Sequence, residues 1–184
     1  MLLQHWGATA TEIGEPLAGD ELVPDARLRA TRSIDLDAPP EAVFPWLAQM
    51  GFGRAGWYSY DWLDNLGRRS ATRIHDEWQD LSAGDLVPGG PIDFYAAIVE
   101  PPHAFVLQTQ PTGRIMRRMG FTLAYEVRPT ATGTRLVSRV RARIDLPFGR
   151  LLERWLLGPG DGVMVRRQLL NLSRRVAADS EPTG

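Results

Sequence analysis

The sequence predicts an α+β fold, with an antiparallel sheet of about six strands covered by a long C-terminal helix. Three observations carry this. Residues 84–144 are a succession of short alternating stretches separated by turn signals. A further alternating stretch, 27–36, stands alone ahead of helical patterns. Near the C-terminus, Val165, Leu169, Leu172 and Val176 form an apolar stripe at helical spacing.

The 184 residues fit one domain. We read 1–26 as an irregular leader, 27–178 as the domain and 179–184 as a tail. Gly7, Gly14, Pro16, Gly19 and Pro24 punctuate the leader, which is expected to pack through Trp6, Leu17 and Leu22. In 27–36, Leu28, Ala30, Ile34 and Leu36 share the apolar face of a strand, and Arg32 interrupts that face. An inward arginine needs a partner. It reads either as an ion pair near a sheet edge or as a polar anchor in a cavity.

A helix is expected from about Pro40 to Met50, with Val43, Trp46, Leu47 and Met50 inward. Prolines suit its start, and Pro45 should kink it. Gly51, Gly53 and Gly56 read as a hinge. Trp62, Leu63 and Leu66 suit a short helix, with Trp62 assigned to the core. Residues 70–81 suggest another turn, with Ser70 as its N-cap. The strands that follow are a short GDLVPGG strand, then 92–99, 104–109, 121–128 and 136–144. Arg139, Arg141 and Arg143 form a ladder that reads as a solvated sheet face paired with acids. Residues 110–118 read as a loop. Residues 148–157 suggest a short helix. The last helix is expected from a cap at Asp161 to about Ala178, with Arg167 and Arg174 outward.

Composition excludes several chemistries. There is no cysteine, so disulfides, thiolate nucleophiles and cysteine metal sites are ruled out. There is no lysine, so Schiff-base chemistry and a P-loop lysine are ruled out too. The net charge of −1 argues against a nucleic-acid partner. His75-Asp76-Glu77 cannot converge on a metal from one helix face, and no metal or cofactor is expected. No apolar stretch is long enough for a membrane span, and MLLQHWGATATEIGEP lacks the pattern of a signal peptide. The expectation is a cytoplasmic monomer or weak homodimer.

The strand ending IDLDAPPEAVFPWL, the GWYSYDWLDNLG segment, the short GDLVP strand and the C-terminal helix resemble the START-like superfamily, often labelled SRPBCC. The resemblance covers 27–178. The leader segments WGAT and LAGDELVP look like those of an uncharacterised bacterial branch. The resemblance implies a helix-grip fold, a curved antiparallel sheet gripping the C-terminal helix around a hydrophobic cavity. It also implies one of several roles, among them lipid carriage and polyketide aromatase/cyclase activity.

The aromatic run Trp57, Tyr58, Tyr60 and Trp62 is the functional candidate, because rings with polar tips suit an apolar ligand. Expected ligand contacts are Arg32, Trp57, Tyr58, Tyr60, Phe94, Phe121, Tyr125 and Met164. The favoured function is binding or transport of a hydrophobic small molecule such as a lipid, polyketide or aromatic metabolite. A cyclase-type enzyme is the second reading. It would draw on Tyr58 and Asp61 as catalytic candidates, although Asp61 also reads as a helix N-terminal charge. A regulatory protein-interaction module is the third, with Val163 and Leu170 off the helix stripe as its contact patch.

Overall fold

A computed structural model describes residues 4–110, 113–147, 149–152 and 158–180. Its described elements are α1 (Ala10–Gly14), β1 (Leu28–Leu36), α2 (Pro40–Ala48), α3 (Asp61–Asp64), β2 (Leu86–Val87) and β3 (Phe94–Glu100). They continue through β4 (Ala104–Thr109), α4 (Gly113–Met116), β5 (Met119–Pro129), β6 (Thr134–Ile144), α5 (Gly149–Leu152) and α6 (Gly158–Ser180). The sheet has six strands in the order β1-β6-β5-β4-β3-β2. Every neighbouring pair is antiparallel. This is the predicted α+β architecture, a curved open sheet with a long C-terminal helix. A register shift between Ala96 and Ile98 marks a bulge in β3, a feature that bends a strand and increases its twist.

Alternation assigns the two faces. Leu136, Val140 and Ala142 of β6 face the same side as Leu123, Tyr125 and Val127 of β5, and all are buried. The α6 stripe Val165, Leu169, Leu172 and Val176 is buried in the same core, together with Val43, Trp46 and Leu47 of α2. Pro45 is accommodated within α2, a helix of only nine residues. Arg167 and Arg174 are exposed, as their spacing required.

Four expectations are corrected. The arginine ladder is not solvated. Arg139 is fully buried and donates to Thr31 Oγ1, to the carbonyls of Glu12 and Glu15, and to Asp20 at 2.7 Å. Arg141 donates to the Val23 carbonyl, and Arg143 pairs with Asp25. The leader covers this face, and it is not irregular throughout: it holds α1, whose end offers the unpaired carbonyls of Glu12 and Glu15 to Arg139. Leu17 and Val23 are buried beneath it, and Trp6 lies under the Arg166 guanidinium at 5.2 Å.

Second, the turn expected within 70–81 is the 3₁₀ turn Asp76–Trp78, and it starts from His75 rather than Ser70. Ser70 caps no helix there. Its hydroxyl donates to Asp61 Oδ1 at 2.5 Å and accepts from the Tyr58 N–H. Third, Trp62 and Leu66 of the α3 region are exposed at 72% and 76%. That turn is held by polar groups, Asp61 to Ser70 and Asn65 Nδ2 to the Arg68 carbonyl, rather than by its apolar side chains. Fourth, the glycine loop is locked rather than hinged. Gly51 and Gly56 exchange both backbone hydrogen bonds at positive φ. A Cβ on Gly56 would sit 2.5 Å from Ser70 Oγ, so no larger residue fits.

The 110–118 segment holds the short α4. Of the expected 148–157 helix, Gly149–Leu152 is helical and the rest lies outside the described residues. α6 begins at Gly158, so Asp161 lies in its first turn rather than at its cap, and Pro159 is tolerated there. Among the described residues, no helix is long and apolar enough to cross a membrane.

Candidate functional site

A cavity of about 420 Å³ opens between the start of α6, the α3 turn and the β3 and β5 strands. Trp57, Phe94 and Phe121 wall it. Trp57 meets Phe94 edge-on at 5.6 Å and 72°, and Phe94 meets Phe121 at 5.9 Å. Met164 and Val165 of α6 close the opposite side, and Leu63 stands at the rim, 52% exposed.

Four polar residues of this wall were not anticipated there: Ser59, Asp64, Asp161 and Gln168. Asp161 and Gln168 flank Val165 at i−4 and i+3, so they share the inward face of α6. That spacing was available in the sequence. Gln168 is buried, donates to the Trp57 carbonyl at 2.9 Å and accepts from the Tyr125 hydroxyl at 2.6 Å. It ties the helix both to the sheet and to the aromatic loop.

Arg32 is fully buried, and its Nη2 lies 2.8 Å from Asp161 Oδ2. Sheet register sets Arg32 opposite Ser138, and Ser138 opposite Tyr125, so the three stand on one rung facing α6. Burial raises the Asp161 carboxyl above its usual range, and Arg32 opposes the rise. Burial also raises the Tyr125 hydroxyl, assisted by the Asp161 charge. Asp64 is pushed up to about 6, chiefly by burial and further by the neighbouring Asp61 carboxylate. Both Asp64 carboxyl oxygens are shut off from solvent, and the nearby Tyr60 backbone and Ser59 side chain lower its pKa without offsetting the burial.

The eight expected contacts divide three ways. Trp57, Phe94, Phe121 and Met164 line the cavity. Arg32 and Tyr125 lie behind its wall, reached through Asp161 and Gln168. Tyr58 points the other way from Trp57, into the core. It holds positive φ (57°) and accepts from Gln49 at 2.8 Å, and its hydroxyl donates to the Trp46 carbonyl. Arg175 covers its ring at 4.9 Å. Tyr60 is half-buried beneath Arg167 at 5.5 Å. Asp61 is engaged by Ser70, so the acid of the α3 turn that faces the cavity is Asp64, one turn on.

The aromatic loop is stitched to α6. Ser59 Oγ donates to the Met164 carbonyl, Asn171 to the Tyr58 carbonyl at 2.8 Å, and Arg175 to the Ala71 carbonyl at 2.7 Å. Val163 is exposed and Leu170 half-buried on the outer side of the helix. Among the described residues no group of three His, Asp or Glu side chains is placed to hold a metal.

No protein-family model and no curated protein matches the chain. Solved structures share its fold. Protein MLL2253 from Mesorhizobium loti is 13% identical with a TM-score of 0.54, over 84% of this chain and all of that one. Protein Ms6760 from Mycobacterium smegmatis is 13% identical with a TM-score of 0.52, over 82% of this chain and 92% of that one. The Aha1 dimer from Colwellia psychrerythraea is 14% identical with a TM-score of 0.50, over 84% of this chain and 99% of that one. At these identities the likeness concerns fold alone.

Proposed function

We propose that this chain is a START-like protein that binds a hydrophobic small molecule in the cavity between sheet and C-terminal helix. The observation that carries the reading is the contiguous wall of Trp57, Phe94 and Phe121 around a cavity of about 420 Å³. That volume is within the range of small-molecule sites, which combine an apolar lining with few polar groups. Organic extraction of the purified protein and mass spectrometry should detect a bound apolar compound, or the empty protein should take up a lipophilic fluorescent probe. Phe121→Ala should weaken uptake. A protein that neither carries nor takes up any apolar compound overturns the reading.

A cyclase-type activity is the second reading, favoured by the two carboxyl groups, Asp64 and Asp161, at the cavity wall. Groups with raised pKa values in an apolar site suit proton transfer to or from a bound ligand. Conversion of a co-extracted ligand by wild-type protein, lost in Asp64→Asn, would establish it. Because the Aha1 neighbour is a dimer, the proposed monomer or weak homodimer is best tested by sedimentation.

A further inference from the structure

We propose that the cavity selects a lipophilic cation, an apolar body carrying a protonated amine. This deepens the binding reading above and rests on it. Two independent features point the same way. The first is Asp64, whose carboxyl oxygens are closed off from solvent at the cavity wall and whose neighbouring donors, the Ser59 side chain and the Tyr60 backbone, do not offset its burial. A buried acceptor left in this state is satisfied best by a donor that arrives with the ligand, and a cationic donor forms the stronger bond. The second is the ring cluster of Trp57, Phe94 and Phe121, whose faces carry negative potential and attract cations.

The positive charges nearby do not reverse this. No cationic side chain is among the described residues that line the cavity. The Arg32 guanidinium lies behind the wall, with Asp161 between it and the cavity at 2.8 Å. The N-terminus of α6 adds about half a positive charge, which Asp161 in the first turn also faces. Asp64 then stands as additional negative charge, reinforced by Asp61 on the same turn.

The test compares n-octylamine, 1-octanol and octanoate, which share one chain and differ in head group, by titration calorimetry at about neutral pH. The amine should bind at least about tenfold tighter than the alcohol, and octanoate weakest. In Asp64→Asn the ratio of amine to alcohol affinity should shrink to about twofold or less. Equal binding of amine and alcohol, or preference for octanoate, overturns the cation proposal and leaves the apolar-ligand reading in place. Binding of none of the three overturns both. If Asp64→Asn does not fold by circular dichroism, the three wild-type affinities decide alone.

Discussion

Arg32 of β1 and Asp161 of α6 form an ion pair at 2.8 Å, with the guanidinium fully buried and the carboxylate nearly so. They join the first strand of the domain to the first turn of its last helix, directly behind the cavity wall. Such a pair gains little over apolar replacements, because both charges lose water. Its removal from one side is another matter. Arg32→Met should cost about 3–5 kcal/mol in urea denaturation, since it strands the Asp161 carboxylate. Adding Asp161→Leu should recover about half of that loss or more. A single substitution costing under about 1 kcal/mol would show that the pair is solvated in solution.

Trp57 and Tyr58 are adjacent in sequence and face opposite ways. Tyr58→Phe removes a hydroxyl shared by Gln49 and the Trp46 carbonyl, and should cost about 1–2 kcal/mol of stability. It should leave uptake of an apolar probe unchanged. Trp57→Ala should weaken uptake. Paired denaturation and probe titration would expose an error if Tyr58→Phe lowered uptake at unchanged stability.

Asp64 makes the native state bind a proton more tightly than the unfolded chain does, because its pKa rises from 3.8 to about 6. Its burden on stability is absent below pH 3.8, grows as pH rises through about 6, and is complete above that. Discounted for solvent screening, it amounts to about 1 kcal/mol. Asp64→Asn should therefore raise the melting temperature at about pH 7.5 and lose that advantage at about pH 4. A constant difference across this range would contradict the assigned cause.

Glu12 carries the opposite sign. It accepts from Arg135 at 2.8 Å, from the Thr9 N–H at 2.7 Å and from Ser33 Oγ at 3.1 Å, which ties the leader to the sheet. The Arg135 hydrogen bonds hold its carboxyl down at about 2. The stability it contributes is present above 4.5 and lost as pH falls through about 2. Glu12→Gln should cost about 2 kcal/mol at neutral pH, and the gap to wild type should narrow steadily below about pH 4. Melting curves across that range decide it.

The periodicities alone determined the strand order, the helices α2 and α6 with their inward residues, and hence the α+β class, while α1 and α4 fall in segments read as irregular. Alternation and helical spacing are local properties, and they read correctly where one face of an element is apolar and the other polar. The same logic failed for the β6 arginines. Their polarity matched a solvated face, yet Arg139 is buried because a leader with no periodicity of its own supplies its acceptors. It failed again at Trp62, whose apolar character predicts burial while a four-residue turn stapled by Asp61 and Ser70 leaves it in solvent. The rings of the cavity wall were nameable in advance, since Trp57, Phe94 and Phe121 are large and apolar at strand or loop positions. Only the tertiary structure decided that Asp64 and not Asp61 faces the cavity, and that Arg32 meets Asp161. Those partners lie far apart in sequence or one turn apart on a short helix, and which of them meet is settled by strand register and the seating of α6 on the sheet.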